Sequence, residues 1–130
     1  MKILNSRYKT VVIDDDRYIM YNNIGEFWFK NKKLHRISGP AFIGKNEDKF
    51  WFQKGKLYRT DGPAVEYANG TKYWYKEGKL HRTDGPAVEW ADGTKYWYKE
   101  GKLHRTDGPA LEYSNGTKEW WIKGMYIKVK

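Results

Sequence analysis

Four side-chain types recur along this 130-residue chain at one spacing, and each has its own chemistry. His35, His81 and His104 stand in register, with Tyr58 where a fourth histidine would fall. Histidine ligates metals and moves protons near neutral pH. Arg36, Arg59, Arg82 and Arg105 form a second row, and Lys33, Lys56, Lys79 and Lys102 a third. Evenly spaced cations suit successive anionic groups on a polymer. Glu66, Glu89 and Glu112 make a fourth row, of the type that does general acid–base work.

The spacing argues against most of that chemistry. A metal ion needs its ligands within a few Å of each other. Neighbouring units hold their histidines too far apart for that, and cysteine is absent. A hydrogen bond inside its own connector is the expected role of each histidine, and one that Tyr58 can take over. Glutamates in equivalent repeat environments make an unconvincing catalytic pair. No Ser-His-Asp, Cys-His or phosphate-loop pattern occurs. The expectation is therefore no catalytic residue, no metal site and no cofactor. The arginines keep two readings. They meet anions on a polymer, or each pairs with the Asp two residues on (Arg59 with Asp61, Arg82 with Asp84, Arg105 with Asp107) and fixes the connector. The lysines are less constrained and read as solvated.

The elements that must position these rows come from a tandem repeat. Trp28, Trp51, Trp74, Trp97 and Trp120 are spaced 23 residues apart, as are Pro40, Pro63, Pro86 and Pro109. A fixed period in this range marks a repeat array. Each unit reads as a β-hairpin. Ala64-Val65-Glu66-Tyr67 is one strand, Lys72-Tyr73-Trp74-Tyr75-Lys76 the return, and Asn69-Gly70 a two-residue type I′ turn. That turn sets Val65 opposite Trp74 and Glu66 opposite Tyr73. Directly opposed residues share a face. One face then carries the apolar row Ile19, Phe42, Val65, Val88 and Leu111 against the tryptophans. This is the expected core, with the connector leucines folded over it. The other face carries Glu66, Phe27, Phe50, Tyr73, Tyr96 and, two residues on, Phe29, Phe52, Tyr75, Tyr98 and Trp121.

Between hairpins, Glu77-Gly78 and Asp84-Gly85-Pro86 are turn chemistry, so the connector reads as a structured excursion. At the ends, Tyr8–Ile13 reads as an extra strand. Lys128-Val129-Lys130 reads as a charged edge that resists further pairing. Residues 1–16 are thus an N-terminal cap, 17–124 the hairpin repeats and 125–130 a C-terminal cap, within a single domain.

The net charge of +9 and pI of about 9.6 favour acidic partners without choosing among them. No signal peptide is evident at the start, and no stretch approaches the roughly 18 apolar residues of a membrane span. A soluble, cytoplasmic protein is expected. Aromatics make up 18% of the chain while aliphatics are sparse, so rings must supply most of the apolar surface.

The run from Tyr73 to Gly93 resembles the membrane occupation and recognition nexus (MORN) repeat. Lys76-Glu77-Gly78-Lys79, His81 and Trp90-Ala91-Asp92-Gly93 carry the likeness, which extends from about Arg17 to Gly124. Its Leu-His-Arg-x-Asp-Gly-Pro-Ala segment looks like variants from phages, giant viruses and bacterial accessory proteins. The resemblance implies an elongated, single-layer antiparallel meander of about five 23-residue hairpins, used to dock proteins or, in some members, lipids. It implies no catalytic residue. The expected function is non-catalytic binding of a protein with an acidic surface, and the phage-type variant implies an effector that inhibits a host or defence protein in the host cytoplasm. Direct binding of nucleic acid or anionic lipid is the alternative, and a homo-oligomeric assembly role the third. The candidate contact residues are Tyr73, Tyr75, Tyr96, Tyr98, Lys79, Lys102, Arg82 and Arg105.

Overall fold

The structure is a computed structural model that describes residues 2–5 and 8–129, with side chains described over 9–127. All of its regular elements are β-strands. Thirteen of them pair antiparallel in chain order: Lys2–Asn5, Tyr8–Val12, Arg17–Tyr21, Gly25–Lys30, Phe42–Gly44, Lys49–Phe50, Val65–Glu66, Lys72–Tyr73, Val88–Glu89, Lys95–Tyr96, Leu111–Glu112, Lys118–Ile122 and Met125–Val129. At the usual spacing this meander spans roughly 60 Å across its strands. Among the described residues, no helix is long and apolar enough to cross a membrane. The extra strand expected near the start is present as Tyr8–Val12, and Lys2–Asn5 adds another beyond it. At the other end the chain backbone is a strand through Val129, while the charges expected of Lys128 and Lys130 lie outside the described side chains.

Each unit contains two hairpins rather than one. The main hairpin lies in the sheet. A side hairpin follows it: Phe52–Gln53 with Lys56–Leu57, Tyr75–Lys76 with Lys79–Leu80, and Tyr98–Lys99 with Lys102–Leu103. In the first unit Lys33–Leu34 folds back on Gly25–Lys30 in the same way. The type I′ turns sit here. Both turn residues have positive φ at Asn31/Lys32, Lys54/Gly55, Glu77/Gly78, Glu100/Gly101 and Lys123/Gly124. The side hairpins also join one another. Gly55, Gly101 and Gly124 donate backbone N–H bonds of 2.9, 2.8 and 2.9 Å to the carbonyls of Leu34, Leu80 and Leu103 in the preceding unit.

The main-hairpin turn corrects the expected register. At Asn69-Gly70 only Gly70 has positive φ. The Gly70 N–H donates to Tyr67 O, and the Tyr67 N–H to Thr71 O, both at 2.9 Å. The loop thus has three residues, 68–70, a turn closed by a left-handed glycine. One extra loop residue slips the pairing by one, and a one-residue slip exchanges faces. Val65 opposes Tyr73 and Glu66 opposes Lys72. The same holds for Val88 with Tyr96 and Glu89 with Lys95.

The expected core is therefore redistributed. Phe42, Phe50, Val65, Tyr73, Val88, Tyr96 and Leu111 form one continuous row. The later tryptophans do not share it, whereas in the first unit the buried Ile19 opposes Trp28 as expected. Glu66, Glu89 and Glu112 leave the tyrosine face and alternate with Lys49, Lys72, Lys95 and Lys118 in the adjacent row. Opposite charges directly across a ladder stabilise it by a few tenths of a kcal/mol per pair, to about 1 kcal/mol. The most buried side chains are small: Ala41, Ala64, Ala87 and Ala110 at 0% exposure, and Val65, Val88 and Leu111 at 5% or less. The connector leucines also change sides, since Leu80 opposes Tyr75 and Leu103 opposes Tyr98.

Candidate functional site

On the face opposite the tyrosines, four tryptophans each lie under an arginine. The guanidinium carbons of Arg36, Arg59, Arg82 and Arg105 stand 3.7, 3.9, 3.9 and 4.0 Å from the ring centres of Trp28, Trp51, Trp74 and Trp97. Arg82 donates from Nε to Asp84 Oδ1 at 3.0 Å, and from Nη1 to Pro86 O at 3.0 Å and Glu89 Oε2 at 3.4 Å. Arg59 repeats the set with Asp61, Pro63 and Glu66. Arg105 keeps the bonds to Asp107 and Pro109. Of the two readings of the arginines, the geometry realises the pairing with the Asp two residues on. The glycine between Asp and Pro leaves room for it, because a Cβ on Gly85 would meet Arg82 Cζ at 2.9 Å.

The first unit departs from this. Ser38 stands where the later units have Asp, and Arg36 Nε is buried without a hydrogen-bond partner. Arg36 keeps only Pro40 O at 3.2 Å and a distant Glu26 carboxylate at 4.0 Å.

The histidines bridge units rather than closing their own connector, which corrects that expectation. Nδ1 of His35, His81 and His104 accepts the backbone N–H of Lys54, Glu100 and Lys123, each at 3.0 Å and each in the next unit's side turn. Burial, then the charges of Lys30 and Lys54, lower the His35 pKa, which suits a nitrogen that must stay an acceptor. Among the described residues no cluster of three or more His, Cys, Asp or Glu is placed to hold a metal.

The tyrosine face is a layer of touching rings. One run links Tyr18, Phe29, Phe27, Phe42, Phe50, Tyr67 and Tyr73 through centroid distances of 4.7 to 6.4 Å. A second links Trp90, Tyr96, Tyr98 and Tyr113 at 5.2 to 6.5 Å. A hollow of about 420 Å³ lies between the runs, lined by Tyr67, Tyr73 and Trp90. The turn residues Tyr67 and Trp90, 37% and 41% exposed, belong to this face but were not among the candidates. Their place at the end of each Val-Glu-aromatic strand was the available signal. Burial raises the pKa of Tyr75, Tyr96 and Tyr98. Among the described tyrosines only Tyr113 has a hydrogen-bonded hydroxyl, at 3.4 Å from Glu119 Oε2.

The eight candidate residues therefore divide between two faces. Tyr73, Tyr75, Tyr96 and Tyr98 share the tyrosine face, Tyr73 in the first run of rings, Tyr96 and Tyr98 in the second, and Tyr75 in neither. Arg82 and Arg105 cover tryptophans on the reverse. Lys79 opposes Lys76, and Lys102 opposes Lys99, on the side of each side hairpin away from Tyr75 and Tyr98. All four lysines are exposed.

No family model, curated protein or solved structure matches this chain.

Proposed function

We propose that this chain is a non-catalytic protein-binding repeat module whose partner docks on the tyrosine face. One observation carries the reading: half-buried rings packed against one another, whose hydroxyls, Tyr113 excepted, have no hydrogen-bond partner among the described residues. Such rings lose little conformational freedom on binding, and each offers apolar area and a hydrogen bond together. The resemblance to MORN repeats supports the same reading. Its phage-type variant sharpens it to an effector that occupies and inhibits a host or defence protein.

The test is affinity capture at low and moderate salt, with Tyr75→Phe/Tyr98→Phe and Tyr75→Ser/Tyr98→Ser as paired variants. The proposal expects one stoichiometric partner, weakened by removing the hydroxyls and lost when the rings go while the fold persists. Retention by the Ser pair at full strength would sink it.

A second reading, binding of nucleic acid or anionic lipid, rests on the paired lysines. Lys76/Lys79 and Lys99/Lys102 set like charges directly across a ladder, which costs stability unless an anion neutralises them. That reading predicts affinity falling steeply with salt and little effect of the tyrosine variants.

A further inference from the structure

The strip of side hairpins is continuous at three junctions and open at one. Between the first and second units, Gly55 N–H bonds Leu34 O and Arg36 N–H bonds Phe52 O, at 2.9 and 3.1 Å. Between the third and fourth, Gly101 bonds Leu80 at 2.8 Å and Arg82 bonds Tyr98 at 3.2 Å. Between the fourth and fifth, Gly124 bonds Leu103 at 2.9 Å and Arg105 bonds Trp121 at 3.2 Å. A histidine bond locks each of these junctions.

Between the second and third units none of these bonds forms among the described residues. The unit carries Tyr58 in the histidine position, and a phenol ring has no acceptor where Nδ1 would sit. The local hairpin is unchanged, since Tyr58 N–H bonds Trp51 O at 3.0 Å as His81 N–H bonds Trp74 O at 3.1 Å. The lysine packing is lost too. A Cβ on Gly55, Gly101 or Gly124 would touch the preceding lysine at 3.6 Å, whereas one on Gly78 would meet nothing within 4 Å.

The opening leaves a cleft of about 780 Å³ lined by Tyr58, Trp74, Tyr75, Lys76, Glu77 and the Arg59 and Arg82 connectors. The corresponding spaces between the neighbouring connectors are about 380 and 570 Å³. Two strand edges border this open junction. One offers Leu57 C=O and Arg59 N–H. The other offers Tyr75 C=O, Glu77 N–H and Gly78 N–H. At every other junction the equivalents of these groups are bonded.

Unpaired strand edges are templates for another strand. We infer that this cleft takes an extended peptide segment of a partner, which completes the strip by adding a strand between Lys56–Leu57 and Tyr75–Lys76. About four residues would span the free groups, at ~3.3 Å each. Alternation sets the side chains. Leu57 and Tyr75 lie on one side of the strip, and Lys56, Lys76 and Lys79 on the other. The matching peptide alternates apolar and acidic residues. The inference rests on the protein-binding reading but places a contact away from the tyrosine layer.

Two measurements test it. In the free protein, amide exchange at Glu77 and Gly78 should run at least tenfold faster than at Glu100 and Gly101; equal rates overturn the inference. A displayed library of random seven-residue peptides is then selected on the wild-type chain and on Tyr58→His, which restores the repeated residue. Enriched alternating apolar-acidic peptides should bind the wild type at least tenfold more tightly than the variant and slow exchange at Arg59, Glu77 and Gly78. No enrichment, equal binding to both chains, or protection confined to the tyrosine face overturns it. In that last case the protein-binding proposal stands without this cleft.

Discussion

The two faces of this sheet share one period and one taste for aromatics, yet their polar atoms meet opposite fates. On the tryptophan side the chain closes on itself. Each later arginine covers a ring and spends its donors on an Asp, a proline carbonyl and, in two units, a Glu. On the tyrosine side the rings touch but their hydroxyls, Tyr113 excepted, have no hydrogen-bond partner among the described residues. A single-layer sheet has no second layer to hide behind. Covering one face with cations stacked on indoles satisfies that face beyond the first unit, and leaves the other with the composition of an interface. The difference predicts that substitutions on the tryptophan side act on stability and those on the tyrosine side act on binding.

The largest effect should come from removing an indole. Trp97→Ala deletes the surface beneath Arg105 and should cost about 3 kcal/mol in a denaturant titration. Tyr98→Phe keeps its ring and should change stability by less than about 0.5 kcal/mol. Equal costs for the two would erase the contrast between faces. Gly85→Ala comes next. The new methyl would displace the Arg82 guanidinium from 2.9 Å contact and disturb Trp74, Asp84 and Glu89 together. A loss of about 1–3 kcal/mol is expected, against about 1 kcal/mol for Gly93→Asn, which meets no neighbour and is strained only by its φ of +94°.

Much of this was legible from spacing alone. The period located every unit and the structured connector, and offered the Arg-to-Asp pairing as one of two readings. The register was not legible, because Asn69-Gly70 suits both two- and three-residue loops and one residue decides which face is which. Glu77-Gly78 carried the two-residue turn instead, although glutamate is a poor residue for positive φ. The side hairpin's own pairing, Tyr75 with Leu80 and Lys76 with Lys79, is what holds it there. Tyr58 was visible as a substitution in the histidine row. Its consequence was not, since the bonds that it removes belong to the next unit.

A smaller change should sharpen the tryptophan side. Ser38→Asp gives the buried Arg36 Nε the carboxylate that Arg59, Arg82 and Arg105 already have. The partner is 83 to 85% exposed in the later units, so the gain is that of a surface pair, about 0.5 kcal/mol. A rise in denaturation midpoint with an unchanged slope is the expected signature.

The subtlest separation is by pH, because His35 on the tryptophan side and three tyrosines of the ring layer titrate at opposite ends. His35 has a lowered pKa in the folded chain, so the folded state takes up its proton less readily than the unfolded one. Its contribution to stability is fully present above the unfolded value of about 6.5 and is lost as the pH falls through the folded value. Tyr75, Tyr96 and Tyr98 have raised pKa values, with burial as the first cause. Their contribution is complete below about 10 and is lost as the pH rises through the folded values. Thermal melts across pH should therefore show an acid limb that His35→Gln flattens and an alkaline limb that Tyr98→Phe flattens. Each substitution should leave the other limb in place. One substitution flattening both limbs would mean that the faces are coupled through the sheet, and that the tyrosine layer is part of what holds the hairpin strip together.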